Sequence, residues 1–186
     1  MSNVANEISI VIGSWGSYNA CNARSCGSKW LDLSDFDEWD DIEAELTAQG
    51  FELDGIDEEL FIQDIENLPS GAANWDYMNP EELFYTLKEA DILDDIYKYE
   101  VMIAYLEVLS FDDFKRLVDA HGRRWCDDIN IYKGFDWEDY GREMFELMGY
   151  EIPESILDYF DFKAYGESFQ YDSIYEYSDG LIEILK

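Results

Sequence analysis

The chain has 186 residues with 44 Asp and Glu against 12 Lys and Arg, a formal net charge of −32. Hydrophobic residues make up 47% and aromatic residues 17%, which excludes a disordered acidic tail and requires a folded core. So negative a protein is repelled by nucleic acid and by anionic membrane surfaces, and its natural partners are basic.

The first predicted element is a strand from Glu7 to Trp15, carried by Ile8, Ile10, Val11 and Ile12. A loop rich in Gly, Ser, Asn and Cys follows from Gly16 to Ser28, and Lys29 to Leu33 reads as a second strand. From Asp35 to Gln49 the spacing becomes helical, with Phe36, Trp39, Ile42 and Leu46 on one stripe and Gly50 as the stop. Leu60 to Glu66 returns to strand character, and Pro69-Ser70-Gly71 reads as a linker.

The middle of the chain is helical. Asn79-Pro80-Glu81-Glu82 combines a cap residue with Pro at the first helical position and an acid three residues after the cap. A second helix places Ile92, Ile96, Tyr99, Ile103 and Leu106 on one stripe. A third starts at Ser110, with Asp113 three residues on, and stops at Gly122. Trp125 to Tyr132 then reads as a strand, and Asp136 to Met148 as a helix with Trp137, Tyr140, Met144 and Met148 inward. Pro153 to Phe160 reads as a short helix. Ile174 to Tyr177 and Leu181 to Leu185 flank Asp179-Gly180 as a hairpin. The expected fold class is α+β, as an elongated protein of three small domains. These are an N-terminal antiparallel sheet with a helix (1–68), a helical bundle (69–122) and a C-terminal α+β domain with a hairpin (123–186).

Between Trp30 and Leu87 stand 18 Asp or Glu residues and no Lys or Arg. A charge-laced structural helix would interleave basic residues at i+4 for a few tenths of a kcal/mol each, roughly 0.2–0.5; this stretch accepts like-charge repulsion instead. The acids expected to form a partner-binding surface are Asp35, Asp37, Glu38, Asp40, Asp41, Glu43, Glu45, Asp57, Glu58 and Glu59, with Asp94, Asp95, Asp112, Asp113, Glu138 and Asp139 further along. Halophilic adaptation is the competing account of such a composition. Three 60-residue globules in line would span about 80 Å. Duplex DNA of that length carries about 47 charges. The net charge of −32 is therefore of comparable density, with carboxylates standing for phosphates.

Catalytic and metal chemistry find little support. His121 is the single histidine and has no evident nucleophile beside it. Cys21, Cys26 and Cys126 fit neither a disulfide framework nor, with His121, a usual zinc spacing. An EF-hand loop begun at Asp35 meets Trp39 and Asp40 at its fifth and sixth positions. One begun at Asp136 meets Tyr140 and Leu147 at its fifth and twelfth. There is no phosphate-binding loop and no dinucleotide fingerprint. The expectation is a non-enzymatic protein without cofactor or metal. With no basic segment leading a long apolar run at its start, it is expected to be soluble and cytoplasmic.

The chain resembles the ArdA antirestriction family over most of its length. The resemblance rests on Tyr18-Asn19, Gly27 and Trp30-Leu31-Asp32-Leu33-Ser34 near the start. Near the end it rests on Tyr140-Gly141-Arg142-Glu143, Glu151-Ile152-Pro153-Glu154-Ser155, Tyr159-Phe160-Asp161-Phe162 and Ala164-Tyr165-Gly166. Leu147 to Asp161 corresponds to the family's antirestriction motif. The loop holding Cys21, Arg24 and Cys26 is longer than usual. The resemblance implies a DNA mimic carried by mobile elements, a homodimer joined through its third domain, and inhibition of type I restriction-modification enzymes at their DNA groove. Tyr150, Ile152, Pro153, Ile156, Leu157 and Phe160 are the candidate dimer residues. Their apolar members would equally serve as that domain's core. The alternative function is inhibition of another DNA-binding protein: a nucleoid protein, a nuclease or a CRISPR effector.

Overall fold

The computed structural model describes residues 8–170 and 173–185. They form a mixed α+β fold of eight α-helices and two small antiparallel sheets. Two compact units divide the chain, Met1–Trp125 and Cys126–Lys186. The first therefore holds both the 1–68 and the 69–122 stretches.

The first unit is built on β1 (Ser9–Ser14), which lies between β2 (Leu31–Asp32) and β3 (Leu60–Glu66), antiparallel to both. Glu7, where the sequence starts this strand, lies outside the described residues. Ile10 pairs with Ile65 and Ile12 with Ile62, across a register shift between Val11 and Ile12. The shift is a bulge, which locally bends the strand and raises its twist. The second strand is shorter than the sequence predicts. Asp32 turns the chain by accepting from the Ser34 N–H and hydroxyl, and Leu33–Asp35 becomes a 3-10 turn. The Gly16 to Ser28 stretch is not all loop either. Ser14 caps α1 (Trp15–Ala20) by accepting the Ser17 N–H.

Helix α2 spans Trp39–Ala48, starting later than Asp35, because Phe36 is extended at φ −118, ψ 136. Its inner stripe is the one expected from spacing: Trp39, Ile42 and Leu46 are buried. Helices α3 (Pro80–Glu89) and α5 (Phe111–His121) begin at the caps read from sequence. Asn79 accepts the Glu81 N–H, and Ser110 and Asp113 form a capping box. Helix α4 (Ile96–Val108) is rotated from its predicted stripe. Val101, Met102, Ala104, Tyr105 and Leu106 are buried, whereas Ile96 is exposed and Ile103 half-buried. With apolar residues nearly all round α4, period alone does not select a face.

The two stretches of this unit share contacts. Trp39 packs against Phe84 at 6.2 Å between ring centroids, and Lys88 Nζ donates to the Phe36 carbonyl at 3.2 Å. Trp125, read as the start of a strand, instead closes the helical part. Its indole N–H donates to the Ala90 carbonyl and its ring stands edge-on to Phe114 at 4.9 Å.

In the second unit β6 (Gly180–Ile184) lies between β4 (Ile129–Lys133) and β5 (Ile174–Tyr177). Three helices accompany the sheet: α6 (Trp137–Leu147), α7 (Glu154–Leu157) and α8 (Phe162–Glu167). The sequence reading has no counterpart of α8. Tyr177 pairs with Gly180, so the hairpin tip is Ser178-Asp179 rather than Asp179-Gly180. Gly180 serves packing: a Cβ there would lie 2.1 Å from the Tyr132 carbonyl oxygen on β4.

Helices α6 and α8 cross backbone to backbone. A Cβ on Gly141 would meet the Phe162 carbonyl oxygen at 2.0 Å, and one on Gly166 the Trp137 carbonyl oxygen at 2.0 Å. This crossing turns Phe145 inward beside Phe162 and leaves Met148, expected inside, exposed. Trp137, Tyr140, Ile174 and Leu181 form the core, with Met144 packed at its edge.

Gly166→Ala should destabilise the second unit by about 1–3 kcal/mol through overpacking, despite gaining roughly 1 kcal/mol of helix propensity. Gly71→Ala, where an added Cβ would meet no atom beyond its chain neighbours within 4 Å, should shift stability by under about 0.5 kcal/mol. Chemical denaturation of both variants checks the contrast.

Candidate functional site

Acidic residues concentrate where helices of the first unit begin. Asp37, Glu38, Asp40 and Asp41 are exposed around the N-terminus of α2, and Asp35 is exposed in the preceding 3-10 turn. A helix N-terminus carries a partial positive charge, so carboxylates gathered there are favoured by roughly 0.3–1 kcal/mol each. Asp41 also accepts the Glu38 N–H at 3.2 Å. Deeper in the helix, Glu43 and Glu45 are half-buried. Glu43 accepts the Trp39 indole N–H at 3.1 Å, and Glu45 accepts from the Gln49 amide at 2.9 Å.

The later acids follow the same rule. Asp95 caps α4 by accepting the N–H groups of Tyr97 and Lys98, with Asp94 exposed beside it. Asp112 is exposed in the first turn of α5, and Asp113 closes the capping box. The Ser110 hydroxyl, then the Ser110 N–H and the Arg116 guanidinium, hold the Asp113 carboxyl below the usual range. In the second unit, Asp139 accepts the Asp136 N–H, and Glu138 pairs with Arg142 at 2.7 Å. Asp37, fully exposed, lies 3.8 Å from Lys88. Glu58 and Glu59 are exposed just before β3.

Asp57 departs from this pattern. It was expected on the acidic surface, yet it is completely buried. Its carboxylate accepts the Ser17 hydroxyl and the Glu52 N–H (2.8 Å), and pairs with Arg24 Nε at 2.9 Å. Burial by itself raises this carboxyl's pKa. Hydrogen bonds from Glu52, Ser17 and Ser14, with the charge of Arg24, outweigh that and hold it below the usual range. The approach depends on Gly16, where a Cβ would lie 1.8 Å from the Ile56 carbonyl oxygen. The signal in the sequence is Arg24 itself, a cation in an otherwise neutral loop.

The second unit exposes an apolar strip. Tyr150, Ile156 and Leu157 are 55%, 50% and 38% exposed, and Pro153 is exposed. Ile152 and Phe160 are half-buried, Phe160 against Phe145 and Phe162. Helix α7 buries none of its residues. Ile156 and Leu157 are thus surface residues, and Phe160 bridges surface and core. Leu147 and Tyr159, outside the candidate dimer set, and Met148, expected inside, widen the strip at 69%, 86% and 55% exposure.

His121 is exposed at the end of α5, and Cys21 and Cys26 are exposed thiols. Among the described residues no three His, Cys, Asp or Glu are grouped to hold a metal ion, and no helix is long and apolar enough to cross a membrane.

The family model for antirestriction protein (ArdA) matches residues 10–183. The chain belongs to the ArdA antirestriction family. No curated protein matches it. The ArdA match takes in the acids of α2 and the whole apolar strip, so both features lie within the family's own span. The Cys21 to Cys26 loop holds the Arg24 that neutralises Asp57.

Asp57→Ala should cost about 3 kcal/mol, because it strands a partly buried guanidinium. The folded carboxyl titrates below its ordinary value of 3.8. Its stabilisation is therefore complete above that pH and disappears as pH falls through the lower folded value. Denaturation of wild type and variant should differ at neutral pH and converge in strong acid.

Proposed function

We propose that this protein inhibits type I restriction-modification enzymes by presenting its carboxylates to the DNA-binding groove in place of phosphates. The observation that carries the reading is the exposed acidic run of α2 and its flanks, which lies in a stretch without Lys or Arg. A DNA groove is lined by Lys and Arg that gain affinity by releasing the counterions of DNA. A folded polyanion engages the same cations and offers no phosphodiester to cut. The protein then acts by occupancy, without catalysis or cofactor.

The apolar strip supports a homodimer. Leu147, Met148, Tyr150, Ile156, Leu157 and Tyr159 are exposed apolar residues of one unit, of the kind that mark protein association when they gather in a patch. Two copies joined there bring two acidic surfaces to one partner.

Purified protein should inhibit cleavage of unmethylated plasmid by a type I endonuclease. The inhibition should be relieved by excess duplex DNA and should weaken steeply between about 50 and 200 mM salt. Replacing Asp40 alone by Asn should change little, whereas amidating Asp37, Asp40, Asp41 and Glu45 together should weaken inhibition about tenfold or more. No inhibition at low salt would reject the reading.

Light scattering should give twice the 21.8 kDa chain mass. Ile156→Glu with Leu157→Glu should give the monomer mass with unchanged circular dichroism, since both side chains are exposed.

A further inference from the structure

Within the first unit, Trp15, Phe61 and Tyr77 gather at a cleft of about 440 Å³. That volume falls in the range of small-ligand sites, roughly 300–1,000 Å³. Phe61 stacks on the Trp15 indole at 4.1 Å and 19°. Gly13 permits the stack, since a Cβ there would lie 2.6 Å from the Phe61 ring. Tyr77 leans toward the same indole at 6.3 Å and is 79% exposed. Tyr77 therefore leaves most of its ring open to a guest beside the half-buried Trp15.

Four exposed carboxylates, Glu58, Glu59, Asp76 and Glu81, line the same cleft. None of the four forms an ion pair among the described residues, and the nearest basic residues in sequence are Lys29 and Lys88. The cleft therefore combines aromatic faces with carboxylates that have no counter-charge. Aromatic rings alone would favour an apolar guest, and carboxylates alone any cation. Their combination favours a planar, weakly hydrated cation that stacks on rings while donating several hydrogen bonds, which describes guanidinium far better than ammonium.

We infer that this cleft seats an arginine side chain of the basic partner, with the guanidinium against the Trp15 and Tyr77 rings, the buried Phe61 backing the indole, and paired to the surrounding carboxylates. The cleft follows from geometry alone; that its occupant comes from a protein groove rests on the proposed function. The acidic surface then does more than supply a diffuse field. It holds one shaped contact that distinguishes arginine from lysine.

The test uses the full chain and two peptides, one alternating arginine with serine and the other lysine with serine. Calorimetry should show the arginine peptide binding about fivefold tighter, the scale of one exposed cation–π contact. NMR should show the Trp15 indole resonance moving with it. Tyr77→Ala, at a site too exposed to endanger folding, should abolish the preference and leave lysine-peptide affinity unchanged. Tyr97→Ala on α4, 50% exposed, should preserve it. Glu58→Gln with Asp76→Asn should weaken arginine binding more than lysine binding. Equal affinity for the two peptides, or a preference that survives Tyr77→Ala, would overturn the inference. If wild type blocks the endonuclease but shows no arginine preference, the cleft is not an arginine site and the proposed function stands. If the preference holds and the endonuclease is not blocked, the cleft stands and the proposed function falls.

Discussion

Like-charge repulsion is the constraint that the rest of this fold answers. With 44 carboxylates and 12 cations, pairing can neutralise only a minority, so the remaining acids must stay solvated and their repulsion must be offset elsewhere. Two compensations recur. Acids collect in the first turns of α2, α3, α5 and α6, where unpaired N–H groups offer positive potential. Aromatic rings fill the interior, each burying about 150–250 Å². Trp75, Phe111, Phe114 and Trp125 run in contact through the helical part of the first unit. Phe145, Phe160, Phe162 and Tyr165 do the same in the second.

Asp57 shows what the opposite choice requires. A carboxylate taken wholly out of water needs a guanidinium, two hydroxyls and a backbone N–H directed at it, and a glycine at position 16 to let the chain close in. One such centre occupies most of a loop. A protein with dozens of acids can place very few of them this way, which is why nearly all the others lie on the surface.

The parts legible in the sequence were those fixed by local chemistry. Asn79 before Pro80, Ser110 with Asp113, and the β-branched run of β1 each act through their immediate neighbours, and the elements appear where those signals place them. What escaped was decided at a distance. The burial of Asp57 depends on Arg24, more than thirty positions away. Gly180 looks like a turn residue and is in fact required by Tyr132 on another strand. Helix α8 was missed because its six residues carry too little periodicity to register. On the proposed interaction surface, charge density was readable from composition. The cleft was not, because Trp15, Phe61 and Tyr77 come from three segments that only the fold brings together.

The contrast between the α2 acids and the Gly141–Gly166 crossing carries a consequence for how such a chain can diverge. Exchanging Asp for Glu moves a charge by one methylene, a small step against a screening length of about 8 Å. A surface that works through its field tolerates such exchanges almost everywhere. At the crossing, each glycine already touches the opposite backbone, and a methyl group on either would meet a carbonyl oxygen at 2.0 Å. Descendants of this chain are therefore free to rewrite the exposed acids of α2 while keeping two hidden glycines, so ancestry would remain visible in the scaffold longer than on that surface.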